Sequence, residues 1–173
     1  MKTELVKLVT FRLGADLFAA DISAVERVLR YAVPNHVPDA PAWVEGVVEY
    51  RGAVIPVIDM RRRLELPDGS IGAHTRILVL STRDGCIGGI VDAVVEVAVI
   101  AATAVAPPPA LFRGLESHFL RGVARIRDQL VVVLNVEQVL TSADRLAFET
   151  SFDAVGQLST GAAATPAAAA ARG

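Results

Sequence analysis

Three aspartates are the side chains in this 173-residue sequence that best suit acid-base chemistry: Asp21, Asp59 and Asp92. Each stands at the predicted end of a strand, where two carboxylates brought together could donate and accept a proton. Each also stands where a turn or helix start needs a hydrogen-bond acceptor. Distance is invisible in sequence, and a catalytic pair also needs a positioned partner in a pocket. Capping is therefore the favoured interpretation, and no catalytic residue is predicted.

The sequence offers few residues for metal binding, cofactor binding or nucleophilic catalysis. The three histidines are widely separated: His36, His74 and His118. Zinc ligands occur at short, regular spacings, so no metal site is predicted. Cys86 is the only cysteine and has no neighbouring cation in the sequence to lower its pKa, which favours a structural role. The pair Gly88-Gly89 lacks the spacing of a dinucleotide fingerprint, and no cofactor is expected.

The basic run Arg61-Arg62-Arg63 is the strongest candidate for a nucleic-acid contact. Asp59 and Glu65 lie beside it, no aromatic residues are interleaved for base stacking, and the chain has a formal net charge of -2. These features exclude a nucleic-acid partner. We expect the three arginines to form a solvated helix face.

A predicted hairpin is the most informative feature of the chain. Two apolar runs, 43–50 and 53–59, flank Arg51-Gly52. Pro56 interrupts the second run and cannot donate a ladder hydrogen bond, which predicts a sheet edge or a bulge. Gly52 lets another backbone approach, and arginine is enriched at interface hot spots. An arginine at a bend beside an unpaired edge suits docking of a partner protein better than binding of a substrate.

The elements that position these residues are short strands joined by turns. Helices of ten or more residues are missing before residue 135, which excludes parallel βαβ units and predicts a mostly β fold of small barrels or a sandwich. Asp21 is expected to cap one helical turn, and Asn135 a closing helix. Residues 94–100 are expected to continue the meander of the strands before them. The predicted strands are Leu5 to Leu13, Leu17 to Ala20, Glu26 to Tyr31, Thr75 to Thr82, Cys86 to Asp92, Val94 to Ile100, Phe119 to Arg127 and Leu130 to Leu134.

Composition predicts one domain and a tail. Hydrophobic residues make up 53% of the chain, enough for a real core over residues 1–155. Residues 156–173 are almost all Ala, Gly, Ser and Thr, and predict a disordered tail, preceded by a helix from Ser142 to about Phe152. A single cysteine, the lack of a signal peptide and the lack of a 20-residue apolar run predict a cytoplasmic protein without membrane insertion.

Motifs spread over Leu8 to Leu146 resemble the CheW family, the adaptors that couple bacterial chemoreceptors to their histidine kinase. Phe11-Arg12-Leu13-Gly14 is similar to the family's opening, and 88–94 to its "G-x-x-V-D-x-V". The central signature is matched at Gly46, Arg51, Gly52, Pro56, Asp59 and Arg61. Glu49-Tyr50 departs from it, because the family usually has Asn-Leu there. This change replaces an amide with a group that only accepts hydrogen bonds, and concerns partner identity more than fold.

The resemblance implies two five-stranded barrels of the SH3 type packed together, and a non-enzymatic adaptor. The groove between the barrels would take the cytoplasmic tip of a chemoreceptor, and another face the regulatory domain of a CheA-type histidine kinase. Other CheW-like domains in array rings are further implied partners, and the protein would be recruited to membrane receptor arrays. The implied partner-binding residues are Val25, Val28, Gly46, Arg51, Gly52, Val94 and Val97.

Two other functions remain open at this point. One is a small β-barrel enzyme or nucleotide-binding protein with its site in the groove between the barrels. The other is a stand-alone regulator that competes with the adaptor proper. A concave pocket with converging polar groups would favour an enzyme, whereas shallow apolar grooves would favour an adaptor.

Overall fold

The computed structural model describes residues 2–109, 117–140 and 144, which form two five-stranded sheets. The strands are β1 (Leu5–Leu13), β2 (Asp16–Asp21), β3 (Val25–Arg30), β4 (Val44–Tyr50), β5 (Ala53–Asp59), β6 (Arg76–Thr82), β7 (Gly85–Val91), β8 (Ala93–Ala101), β9 (Leu120–Ile126) and β10 (Gln129–Leu134). One α-helical turn, α1, spans Met60–Arg63, and 3-10 turns span Ile22–Ala24, Ala102–Ala104, Ser117–Phe119 and Val136–Gln138. The prediction of a mostly β, SH3-like fold is confirmed, although neither sheet closes into a complete barrel.

The two sheets have the same topology. Lobe 1 has the strand order β8-β1-β2-β10-β9, and lobe 2 has the order β3-β6-β7-β5-β4. In each lobe the fourth strand in this order pairs in parallel with the third, and every other pair is antiparallel. Each position in lobe 1 therefore has an equivalent in lobe 2, which can be read from the register.

Strand β8 does not continue the meander of lobe 2, so that expectation is wrong. It crosses to lobe 1 and pairs antiparallel with β1 along nearly its whole length, from Leu5 opposite Ala101 to Arg12 opposite Ala93. The physical reason lies in β7, which already has β6 on one side and β5 on the other. A strand with two neighbours offers no free hydrogen-bonding edge.

Pro56 lies in an inner strand, so the prediction of a sheet edge is also wrong. Strand β5 is placed between β4 and β7, and Pro56 stands opposite Val47 of β4. Parallel pairing with β7 begins only at Val57. Pro56 has no N–H to donate, but its position lies one residue before the pairing with β7 begins. The inner strand therefore accommodates the proline without losing a hydrogen bond to β7. The nearest irregularity is in β4, between Val44 and Gly46.

The largest hydrophobic cluster joins the two lobes. Phe11 and Phe18 of lobe 1 stack with ring centroids 6.2 Å apart, in the same cluster as Leu78 and Val91 of lobe 2. A smaller cluster around Leu8 fills lobe 1, and further clusters fill lobe 2. Burial of this shared core holds the lobes in one arrangement and thereby fixes the surfaces that both lobes build.

Other expectations have mixed outcomes. The Asp21 carboxylate accepts a bond from the Ser23 N–H at 2.9 Å, as predicted for a cap. Asn135 precedes the turn Val136–Gln138, but its side chain makes no capping bond. The boundary at residue 155 and the tail from 156 to 173 lie outside the described residues, as does the predicted helix from Ser142 except for residue 144. Within the described part, no helix is long and apolar enough to cross a membrane.

Candidate partner-binding site

The β4–β5 hairpin carries an exposed arginine at its bend. Arg51 (φ 48°) and Gly52 (φ 76°) are the two turn residues between the paired Tyr50 and Ala53. Two left-handed residues in succession define the turn whose twist matches that of the flanking strands. Glycine adopts this conformation freely, whereas Arg51 adopts it against its intrinsic preference. The Arg51 side chain is 62% exposed, so its guanidinium can reach a partner.

A single carboxylate organises the surroundings of Arg51. Glu26 of β3 accepts hydrogen bonds from Arg51 Nη1 at 2.8 Å, Tyr50 Oη at 3.3 Å and Cys86 Sγ at 2.8 Å. The hydrogen bond from Cys86 lowers the pKa of Glu26, and the hydrogen bond from Tyr50 and the positive charge of Arg51 lower it further, against the opposite effect of partial burial. Because β3 and β4 are the two edge strands of lobe 2, Glu26 links the edges of the open sheet. Sequence reasoning missed this residue; its only signal was a carboxylate in an otherwise strand-like segment.

Cys86 is a hydrogen-bond donor in this cluster. Burial, followed by the bond to Glu26 and its negative charge, raises the pKa of the Cys86 thiol to about 11. The expectation that no cation lies nearby is wrong. The positive charge of Arg51 lowers the pKa of the thiol, but burial and Glu26 outweigh this effect. The thiol therefore stays protonated near neutral pH and is a poor nucleophile.

The four implied valines form two equivalent pairs. Val25 pairs with Leu80 as Val94 pairs with Phe11, and both valines are half-buried against the core between the lobes. Val28 and Val97 are likewise equivalent, and their side chains are 42% and 52% exposed. Each lobe thus presents an exposed valine on its edge strand, three residues beyond a half-buried one; on β8, Val95 and Val99 are exposed as well.

The two implied glycines act through the backbone. Gly46 (φ 149°) is buried, and a Cβ atom built on it would lie 2.2 Å from the Asn35 carbonyl oxygen. A Cβ on Gly52 would meet nothing within 4 Å. Gly46 therefore serves close packing of two chain segments, while Gly52 serves the turn beside Arg51.

The cleft between the lobes has a different lining. It measures about 430 Å³ and contains Asp21, Arg83, Arg121 and Glu137, but none of the seven implied residues. Arg121 pairs with Asp21 at 3.3 Å and Arg83 pairs with Glu137 at 3.4 Å. Burial raises the pKa of Asp21, but the Ser23 hydrogen bonds and Arg121 outweigh it and lower the pKa overall. An ionised, ion-paired carboxylate is not a proton donor at neutral pH, which argues against acid catalysis here.

The remaining aspartates have structural partners. Asp59 accepts bonds from the Arg61 and Arg62 N–H groups at the start of α1. Asp92 accepts from the Gly14 N–H and from the Arg61 guanidinium. Within the described part of the chain, no three His, Cys, Asp or Glu side chains form a group that could hold a metal ion.

The prediction that the arginine run is a solvated helix face is wrong for two of its three residues. Arg61 is 18% exposed and bound to Asp92, and Arg63 is 11% exposed. Arg63 stacks on Trp43 at 4.3 Å and on Phe119 at 5.0 Å. Only Arg62, at 46% exposure, faces solvent. Successive helical residues point about 100° apart, so three in a row cannot share one face.

Comparisons with known proteins converge. The model of the CheW-like domain matches residues 7–144. Chemotaxis protein CheW of Rhizobium meliloti (strain 1021) is 30% identical to this chain over 139 residues, which cover 80% of this chain and 90% of the relative. Protein FrzA of Myxococcus xanthus is 30% identical over 134 residues, covering 77% and 84%. The crystal structure of scaffolding protein TtCheW from Thermoanaerobacter tengcongensis matches with a TM-score of 0.76 and 27% identity, covering 83% and 92%.

Proposed function

We propose, on the premise that this chain belongs to the family of CheW-like domains, that it couples the cytoplasmic tips of chemoreceptors to the regulatory domain of a CheA-type histidine kinase. The chain is a non-enzymatic scaffold of chemotaxis signalling. The proposal concerns the finer point of which partners it joins. In this proposal the receptors recruit the protein to an array at the membrane, where other CheW-like domains are its neighbours in the ring.

The observation that carries the proposal is the construction of the Arg51 turn. Glu26, Tyr50 and Cys86 hold one face of the turn, while the Arg51 side chain stays 62% exposed. An arginine that is positioned before binding loses less conformational freedom when it docks. Such a preorganised cation beside a small glycine suits a protein partner with a carboxylate or carbonyl at its surface.

The mechanism would be geometric. A scaffold that binds two partners at once raises their effective concentration without new chemistry. Its two lobes share one core, so a shift at one surface is transmitted as a rigid-body change to the other.

Replacing Arg51 with glutamate should abolish assembly with receptor and kinase while leaving the protein folded. The change reverses the charge that faces the partner, so we expect affinity to fall at least 100-fold. The new carboxylate also lies beside Glu26, but the turn is exposed and water screens the repulsion, so we expect little change in melting temperature. Pull-down with receptor and kinase, together with circular dichroism, measures both. Lys7→Glu is the matched control, because it makes the same charge change at an exposed position on β1. A folded Arg51→Glu protein that assembles normally removes Arg51 from the site.

Replacing Val97 with aspartate should weaken partner binding by at least tenfold. Val97 is 52% exposed, so the carboxylate stays hydrated in the free protein and loses its water only on docking. Isothermal titration with the kinase regulatory domain and with a receptor fragment would show which of the two is affected. Val94→Asp serves as contrast: Val94 packs against the core between the lobes, so that variant should lose stability instead. Unchanged affinity of Val97→Asp for both partners would exclude the β8 surface.

A further inference from the structure

Lobe 1 has an open cleft between its two edge strands. The cleft measures about 330 Å³ and is lined by residues 96–100 of β8, by residues 125 and 126 of β9 and by Arg127 of the turn that follows. Its deeper part is apolar: Ala98 is buried, and Ile100 and Ile126 pack against the hydrophobic cluster inside the lobe. Glu96 and Arg127 form an ion pair at 3.0 Å beside it.

The equivalent place in lobe 2 is filled by larger side chains. By register, Ile126 opposite Gln129 corresponds to Tyr50 opposite Ala53. Ala98 opposite Leu8 corresponds in the same way to Leu29 opposite Ile77. Two residues further on, Ile100 of β8 corresponds to Tyr31, the first residue after the end of β3. All three positions therefore carry a smaller side chain in lobe 1 than in lobe 2.

The larger side chains of lobe 2 complete its interior. Tyr50 is 8% exposed and belongs to one of the clusters there, and Leu29 packs against the same cluster. Tyr31 packs against the neighbouring cluster with Leu29. The Tyr50 hydroxyl bonds to a carboxylate, that of Glu26. Lobe 2 thus shows, within this chain, an aromatic ring beside a carboxylate in the place that lobe 1 leaves open.

The charge at the lobe 1 cleft is positive. Arg125 and Arg127 line it against a single carboxylate, Glu96. The Arg127 side chain is 80% exposed despite its ion pair, and among the described residues Arg125 makes no ion pair. An incoming group with negative charge is therefore favoured over a neutral or basic one.

We propose that the lobe 1 cleft binds an aromatic side chain of a partner protein, presented on a segment that carries a carboxylate next to the ring. The apolar base formed by Ala98, Ile100 and Ile126 would bury the ring, and Arg125 and Arg127 would bind the carboxylate. Burial of a ring in a partly preformed pocket is the usual basis of an interface anchor. The proposal is independent of the role given to Arg51, which lies in the other lobe, but it shares Val97 with the proposed partner-binding residues, because Val97 also lines this cleft.

A short peptide tests the proposal without receptor or kinase. The probe is acetyl-Glu-Tyr-Glu-amide, titrated into the ¹⁵N-labelled full chain and followed by amide chemical shifts. We expect saturable shifts centred on Ala98, Ile100 and Ile126. Affinity should be at least tenfold weaker for acetyl-Glu-Ala-Glu-amide, which lacks the ring, and for acetyl-Lys-Tyr-Lys-amide, which reverses the charge. Equal shifts from all three peptides, or shifts confined to the cleft between the lobes, would overturn it.

Filling the cleft from within gives the second arm of the test. Ile126→Tyr installs the lobe 2 residue and should reduce binding of acetyl-Glu-Tyr-Glu-amide at least tenfold, whereas Ile126→Val should bind as the parent does. If Ile126→Tyr does not fold, Ala98→Leu installs the other lobe 2 residue and should have the same effect. A folded filled variant that binds the peptide as tightly as the parent refutes the cleft. Because neither receptor nor kinase is present, this result is separate from the outcome for Arg51.

Discussion

Replacing Gly46 with alanine should destabilise the protein by about 3 kcal/mol or more, the scale of a buried steric and hydrogen-bonding defect. The new methyl would lie 2.2 Å from the Asn35 carbonyl oxygen and 2.7 Å from its carbon. Asn35 and Val47 exchange two backbone hydrogen bonds at 2.8 and 2.9 Å. Asn35 belongs to the proline-rich loop, residues 31–43 between β3 and β4. The methyl would therefore push this loop off β4 and break these bonds, in addition to the strain of φ 149°.

Thermal melting followed by circular dichroism would measure this loss, with an expected fall of about 10 °C. Gly52→Ala separates the two causes, because Gly52 has φ 76° but open space around its Cβ position. That variant should lose only about 1–2 kcal/mol, the cost of a left-handed conformation. Gly122→Ala tests the same contact in lobe 1, where the Cβ would lie 2.4 Å from the Ala106 carbonyl oxygen. A Gly46→Ala protein no less stable than Gly52→Ala would show that the loop yields without cost.

Local patterns in the sequence predicted the strands well. Strand β1 is buried on both faces over residues 8–11, and β10 over residues 131–134, and such apolar runs can be read from neighbouring residues alone. The turn at Arg51-Gly52 was predictable for the same reason, whereas the turn between β9 and β10 was predicted one residue too late, at Asp128-Gln129. The structure places Arg127 and Asp128 at its two left-handed positions. The glycine marks the first turn clearly, whereas Arg127 and Asp128 adopt these angles without any glycine.

Partnerships between distant residues could not be predicted from such patterns. Glu26 meets Arg51 and Cys86 across 25 and 60 residues of sequence, and only the sheet order brings them together. The crossing of β8 to lobe 1 has the same origin, because strand pairing is decided by which edge is free. The inward orientation of Arg61 and Arg63 depends on acceptors at Asp92 and Val139, far along the chain.

The family resemblance supplied what local patterns lacked for the candidate site. It selected Val25, Val28, Val94 and Val97 as a set, and the register places them as two equivalent pairs on the edge strands β3 and β8. Nothing in the burial of a single valine distinguishes a docking residue from an incidental exposed one. Their role in binding stays a prediction. Its physical basis is that the two pairs of valines occupy equivalent positions on the edge strands of the two lobes.

Replacing Arg63 with alanine should destabilise the protein by about 3 kcal/mol, as expected when one member of a largely buried ion pair is removed. The Arg63 guanidinium donates to the Val139 carbonyl at 2.7 Å and to the Asp144 carboxylate at 2.7 Å. It also stacks between Trp43 and Phe119. The substitution would thus loosen α1, the proline-rich loop and the segment after β10 at once.

Urea denaturation followed by tryptophan fluorescence suits this prediction, because Trp43 is the only tryptophan of the chain and reports directly on the stack. Arg62→Ala is the matched control from the same helical turn. Its side chain is 46% exposed and pairs with Glu45 and Asp68 at the surface, so its loss should cost less than about 1 kcal/mol. Arg63→Lys keeps the charge without the planar group and should fall between the two. If Arg62→Ala proved as costly as Arg63→Ala, the inward stack of Arg63 would not be what holds these three segments together.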